Sequence, residues 1–363
     1  MENENLDHSK LIRLPPDSIR VEDPDEEIFL LYTDLRAGEV QDGSTPFTGL
    51  GSVDSKADVL IVSFNLPLHE PPPPPPVPTN DNSPPHRKRR PPRKKSVQIE
   101  QETFEVELVQ DKTILRSRKG DTGSVLWRIT RELCGRLILQ LCTKPETGDT
   151  LFDLDMFKKS HILEIGAGTG LMALVLSHWT KYYTATDLNH LVPLIQKNIA
   201  HNYSYVTEAL SHHLKDPRKG RTSTGRISVE ALDWLDIHNA PLSSRLRLFP
   251  PELPGVGIAD IIFAVDCVYN SSLLPPLVTV LNHYAATDRT RVVVAVELRS
   301  EDVLREFLEL WIGSGKSSSD NSDEYHWVIH RICGDAWMDP CFAVWVGWKS
   351  GAGAHAEADF SNH

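Results

Sequence analysis

The residues able to do chemistry gather at the ends of short apolar runs. Gly166, Gly168 and Gly170 follow the run HILEI (161–165) and open an apolar stretch with helical spacing. Glycines at a strand-to-helix turn let the backbone press against a phosphate or a ribose, because no Cβ stands in the way. Asp187 ends YYTATD (182–187), Asp233 and Trp234 follow RISVEAL (226–232), and Asp266 and Tyr269 lie in AVDCVYN (264–270). An acid for ribose hydroxyls, an acid and an aromatic for a base, and a further acid near the reacting end would together serve a nucleotide-like cofactor.

Two cofactors compete for the glycine turn. Gly168, Gly170 and Ala173 satisfy G-x-G-x-x-A, and Asp187 lies 19 residues beyond Gly168, close to where a dinucleotide fold wants its ribose-binding acid. A glycine match of this kind is weak and leaves a nicotinamide dinucleotide and S-adenosylmethionine both open. Three features favour the second. The dinucleotide register starts two residues late and leaves Gly166 over. Glu164 sits inside the strand, where an acid suits a sulfonium and an ammonium and would repel a pyrophosphate. The later strand ends, with Trp234 and the Asp266–Tyr269 segment, add an aromatic and an acid of their own. Each residue also has a plainer reading: Asp187 as a helix cap, Trp234 and Trp127 as core, Asp266 as a buried structural acid, Tyr269 as a packed aromatic, Glu164 bonded to nearby backbone.

The elements that must position these residues are regular from 161 onward. Strands are expected at 161–165, 182–187, 226–232, 259–266 and 291–298, with helices at 171–179, 191–202, 271–284 and 301–312 between them. That alternation implies a parallel sheet with helices on both faces, an α/β fold. The runs 324–332 and 341–348 have no helix between them and read as a hairpin, hence an antiparallel edge. Residues 203–225 are polar and read as a loop insertion. Upstream, Trp127–Cys142 has helical spacing, 104–110 alternates as a strand, and Ile28–Tyr32 and Val59–Phe64 look like short strands that add to the main body.

Residues 67–96 stand apart. They hold 12 of the chain's 26 prolines and end in HRKRRPPRKK (86–95), with seven Lys or Arg. Proline at this density removes backbone donors and fixes φ, so no packed helix or sheet is expected there. The expected organisation is therefore an N-terminal extension (1–66), a Pro-rich basic linker or loop (67–98), a main domain (99–350) and a tail (351–363). The basic run reads as a charged, solvated tether, with nuclear import or a nucleic-acid patch as its functional alternative.

Composition excludes several classes. The net charge of −12 over 363 residues argues against general nucleic-acid binding. No apolar run is long enough to span a membrane, and the polar N-terminus lacks the core of a signal peptide. The five cysteines form no CxxC pair and the 15 histidines no ligand spacing, so no metal is expected, and a reducing, intracellular compartment fits.

Taken together, E-x-G-x-G-x-G, the acid ending the second strand, DW after the third, D-x-x-Y after the fourth and the closing hairpin resemble the class I seven-strand methyltransferases. The turn Gly123-Ser124-Val125-Leu126-Trp127 narrows this to protein-lysine methyltransferases of the methyltransferase-like 21 type. RSRKGDTGSVLW (116–127), LYTDLRAGEV (31–40) and STPFTGLG (44–51) resemble the fungal elongation-factor methyltransferases, the sixth of that series. The resemblance implies a Rossmann-like seven-stranded sheet with an antiparallel C-terminal hairpin, and S-adenosylmethionine as cofactor. It implies that Gly166, Ala167 and Gly168 hold the methionine and ribose portion, with Glu164 and Gly170 completing the loop. Asp187 would bind the ribose, Asp233 and Trp234 the adenine, Val265 and Trp127 the methionine side, while Asp266 and Tyr269 face the lysine. It further implies a monomeric, cytoplasmic enzyme acting on a lysine of translation elongation factor 1A, with nuclear access through 86–95. The lysine must lose its proton before it attacks. Asp266 alone would work against that, so a desolvated pocket or a water path is required. A small-molecule methyltransferase, a nicotinamide-dependent oxidoreductase and a non-catalytic scaffold remain as alternatives.

Overall fold

The computed structural model describes residues 7–42, 51–67, 101–111, 122–143, 150–211, 226–315, 325–333 and 337–351. In chain order these form β1 (Ile19–Arg20), α1 (Pro24–Asp42), β2 (Val59–Pro67), β3 (Gln101–Val109), α2 (Arg128–Thr143), α3 (Leu154–Phe157), β4 (His161–Ile165), α4 (Leu171–Leu176), β5 (Tyr182–Asp187), α5 (Val192–Ala209), β6 (Arg226–Ala231), α6 (Trp234–Asn239), α7 (Leu242–Leu248), β7 (Ile261–Val265), α8 (Leu274–Tyr284), β8 (Arg291–Glu297), α9 (Glu301–Gly313), β9 (Tyr325–Arg331) and β10 (Phe342–Gly351).

The main sheet runs β1-β9-β10-β8-β7-β4-β5-β6. β6, β5, β4, β7 and β8 are parallel, and β10 and β9 close the sheet antiparallel, as the alternation of elements implies. The two-residue β1 adds an eighth strand at the β9 edge. After β4 the chain moves outward through β5 and β6, then returns to lay β7 on the other side of β4. The carboxyl ends of β4 and β7 therefore diverge, and ligands of open α/β sheets bind in the crevice this creates.

Side-chain alternation builds a core on each face. Ile261, Phe263 and Val265 of β7 join Leu133, Leu137, Met172 and Phe104 on one side; Ile262 and Ala264 join Leu277, Leu281, Phe307 and Trp311 on the other. β2 and β3 form a separate antiparallel pair whose buried face, including Phe64 and Phe104, stacks on α2. The free edge of β3 is capped by two amides of α5 one turn apart. Asn198 accepts from the Val109 N–H and donates to its carbonyl, and Asn202 does the same at Glu107. These bonds satisfy backbone groups that an open edge would leave unpaired.

Two expectations change. Ile28–Tyr32 is not a strand but lies within α1. Asp23 accepts the N–H groups of Asp25 and Glu26, Pro24 opens the helix, and Ile28 and Leu31 are buried three residues apart. The polar stretch from 203 continues α5 to Ala209, with Val206 buried; the rest of that expected insertion, from 212, lies outside the described residues. Pro67 pairs directly with Gln101, so residues 68–100 connect two ends that lie side by side. Those residues, which include most of the expected linker and all of the basic run, lie outside the described residues, as does most of the tail.

Candidate active site

Gly166 (φ 72°) and Gly168 (φ 58°) turn the chain sharply after β4. The N–H groups of Gly166 and Ala167 both donate to the Thr186 carbonyl, at 3.0 and 2.9 Å, which ties the loop to β5. A Cβ on Gly166 would lie 2.9 Å from Cys267 Sγ and 3.3 Å from the Trp234 ring; one on Gly168 would lie 3.1 Å from the Gly123 carbonyl. Only glycine fits either place without displacement. Gly170 differs. It caps α4 with φ 80°, a Cβ there would meet Ile195 of α5 at 2.8 Å, and it does not reach the cavity wall. Its position is explained by helix–helix packing.

The loop forms the floor of a cavity of about 620 Å³. It is lined by Asp233, Trp234, Leu235 and Phe249 after β6, by Gly166, Ala167, Gly168 and Asp187 after β4 and at the end of β5, by Val265, Asp266 and Tyr269 after β7, and by Trp127 and Thr130. All the residues singled out in the sequence except Gly170 meet here, from the ends of β4, β5, β6 and β7. Asp187 accepts from the N–H of Gly168 (2.7 Å) and of Leu188 (2.8 Å), so it orders the glycine loop itself. Asp233 caps α6 by accepting from the Leu235 N–H at 2.9 Å, which fixes Trp234 at the start of that helix. Trp127 donates its indole N–H to the Thr122 carbonyl at 3.1 Å.

Glu164 lines the cavity but not as the charged group its type suggested. It is buried, its carboxyl accepts from the Tyr183 hydroxyl at 2.9 Å, and burial pushes that carboxyl up to about 8. Near neutral pH it is a protonated acid, and its attraction for a cation is correspondingly lost.

Asp266 is the opposite case. Its backbone sits in the left-handed region (φ 58°), held by an N–H bond to the Ala295 carbonyl at 2.8 Å. Both carboxylate oxygens accept from Arg299, at 2.8 and 2.7 Å. Arg299 also donates to Glu297 at 3.0 Å, Glu297 pairs with Arg128, and the guanidinium lies 5.0 Å from the centre of the Trp127 ring. Burial pushes the Asp266 carboxyl up, against the pull of Arg299; Arg299 in turn is held above its ordinary value by the two acids, which more than offset its burial.

Residues 110–311, more than half of the chain, match a family described as lysine methyltransferase. The chain belongs to this family. It is 27% identical over 240 residues to the ribosomal lysine N-methyltransferase 5 of Kluyveromyces lactis, covering 60% of this chain and 73% of that protein. Against the protein of the same name from Zygosaccharomyces rouxii, identity is 26%, covering 52% and 63%. Against the EEF1A lysine methyltransferase 3 of Xenopus tropicalis it is 27%, covering 42% and 54%. The match thus spans about half to three quarters of these relatives.

This lysine methyltransferase uses S-adenosylmethionine, and the residues present fit it. The cradle at Gly166 and Gly168 is one that a Cβ would fill, and the same cavity is lined by the aromatic Trp234, the helix-capping Asp233 and the buried Asp187. Gly166, Ala167, Gly168, Asp187 and Trp234 would hold the cofactor, which when bound supplies a methyl group on a sulfonium that leaves readily. The chain's own share is binding, orientation and control of the acceptor's proton.

Sequence reasoning passed over Asn189 and His190 after β5, and Phe249, Asn270 and Ser272 around the rim, all of which line the cavity. It also left out Arg128 and Arg299, and it placed Glu297 at a strand end that could face substrate without taking it as a site residue. For Glu297 and Arg299 a signal existed: both follow directly from a parallel strand end beside β7. For Arg128 none did, because its partner lies 169 residues away.

Proposed function

We propose that this protein methylates the ε-amine of a lysine in a protein of the translation apparatus, with elongation factor 1A as the first candidate. The observation that carries the reading is one cavity lined both by the glycine cradle at Gly166–Gly168 and by Asp266 and Tyr269, the pair that the resemblance gives to the acceptor. The family supports lysine as that acceptor. The Xenopus relative's name supports the elongation factor. A ribosomal protein is the second candidate, favoured by the longer matches to the two ribosomal enzymes. Asp266 and Tyr269 act on the acceptor, and Trp127, Glu164, Gly166, Ala167, Gly168, Asp187, Asp233, Trp234 and Val265 surround the cofactor. A monomer working in the cytoplasm suits either substrate.

The test is incubation with labelled S-adenosylmethionine and cell extract, separated into ribosomes and soluble proteins. A soluble band at the size of elongation factor 1A, identified by mass spectrometry and lost with Asp187→Ala, is expected. Label confined to the ribosomal fraction would move the assignment to the second candidate. Label confined to small molecules, or binding of NADH without S-adenosylhomocysteine, would sink the reading.

A further inference from the structure

We propose that Arg299 is a positioning residue: it cancels the charge of Asp266 in the cavity wall, so that a lysine is received there as the neutral amine. This rests on the methyltransferase reading given above.

The chemistry sets the need. The amine lone pair forms the new N–C bond as the C–S bond breaks, its electrons staying on sulfur, and the methylated ammonium then sheds a proton to water. An ammonium has no lone pair to give. A bare carboxylate beside the amine would favour the ammonium, because an opposite charge a few ångströms away stabilises it. Asp266 is buried in the cavity wall and, as the acid that the proposed function sets against the acceptor, would have this effect by itself.

Arg299 removes it. The guanidinium meets Asp266 in a two-point pair, the geometry in which arginine binds a carboxylate best. Its Nη2 also donates to Glu297, whose other oxygen faces Arg128. Two carboxylates and two guanidiniums thus balance here. The arrangement is built, not incidental. Arg299 stacks on Trp127, a wall of the cavity. Gly51, at φ 87°, passes so close that a Cβ there would overlap both Arg299 Nη2 and Glu297 Oε2. Its loop is pinned by the Arg128 N–H to the Gly51 carbonyl and the Val53 N–H to the Leu126 carbonyl, both at 2.9 Å.

Among the described residues, no other group facing Asp266 does this work. From β4, Glu164 is a neutral acid near pH 7. From β5, Asp187 is committed to backbone N–H groups. On its own loop, the Cys267 thiol is pushed well above its ordinary value by burial, and Tyr269 bears no cation. Arg128 of α2 reaches Glu297, and Asp339 and Cys341 before β10 lie beyond that pair.

The full-length chain, labelled S-adenosylmethionine and total cell extract as acceptor test this through the pH dependence of the initial labelling rate, from pH 6.5 to 9.5. Arg299→Met should move the midpoint up by about one pH unit, leaving the rate at pH 7 about tenfold lower and restoring it near pH 9. Arg299→Lys should keep the original midpoint, and Asp266→Asn combined with Arg299→Met should return to it. Affinity for S-adenosylhomocysteine, by calorimetry, should stay unchanged in all. If Arg299→Met fails to bind it, Asp266→Asn alone carries the test: the unbalanced guanidinium should move the midpoint down. A uniformly slower variant with the original midpoint overturns the proposal. So does a variant faster at pH 7 with less acceptor needed, which would make Arg299 a plug held in the lysine's place. Absence of any labelled protein with the original sequence overturns the methyltransferase reading and this inference with it; labelled protein with unmoved midpoints overturns this inference alone.

Discussion

Glu164 and Asp266 line one cavity and are both pushed up by burial, but they meet different neighbours. Glu164 meets a neutral hydroxyl; Asp266 meets a guanidinium. The consequence for Glu164 is a stability that depends on pH. Its folded value of about 8 lies above the ordinary 4.5, so the folded chain keeps a proton that the unfolded chain releases. Stability is then fully present below about pH 4.5, falls as pH rises, and is lost in full above about 8. Glu164→Gln has no proton to lose. Its melting temperature relative to the original should rise steadily from pH 5 to 8, by a few kcal/mol at most in free energy. A difference that does not vary with pH would contradict this. The glycines separate in the same way. Gly166→Ala should lower S-adenosylhomocysteine affinity at least tenfold, since its Cβ meets Cys267 and Trp234. Gly170→Ala should lower the melting temperature first, through Ile195. Calorimetry and thermal unfolding on both variants distinguish the two.

At the scale of elements, α1 is fixed to the sheet by a buried charge. Glu27 accepts from the Trp345 indole N–H at 2.8 Å and faces Arg331 at 3.2 Å, and all three are buried. Burial raises the Glu27 carboxyl from its ordinary value while Arg331 opposes the shift. Removing Glu27 leaves the buried Arg331 with the longer contact to the exposed Asp34, at 3.5 Å, in place of a buried partner. Glu27→Ala should therefore destabilise the fold by roughly 3 kcal/mol, measured by denaturant unfolding. Glu27→Ala with Arg331→Met should recover much of that loss. The five-residue run at Ile28 looked like a strand because so short an apolar window fits either period; Asp23, Pro24 and the acids after them were the better signal. The Asn198 and Asn202 caps were not legible at all. Two asparagines one turn apart say nothing of a strand edge about 90 residues earlier, which only packing brings alongside.

For the whole molecule, the crossing from β6 back to β7 beside β4 gathers the site. Binding of S-adenosylhomocysteine at a hundred times its Kd should stabilise the chain by about 2.7 kcal/mol and raise its melting temperature accordingly. The pairing of Pro67 with Gln101 carries a second expectation. Replacing 68–100 by Asn-Gly, a turn suited to closing adjacent antiparallel strands, should leave that affinity within about twofold. A loss of binding would mean that this segment contributes to the site.

The sequence by itself determined the parallel sheet, its antiparallel closing pair and the strand ends at which Gly166, Asp187, Trp234 and Asp266 stand. These depend on periodicity and on local turn chemistry, both written in consecutive residues. Only the tertiary structure decided the charge of Glu164, the packing role of Gly170 and the pairing of Asp266 with Arg299. A side chain's protonation and partners depend on what surrounds it in space, and those neighbours come from segments tens to hundreds of residues apart.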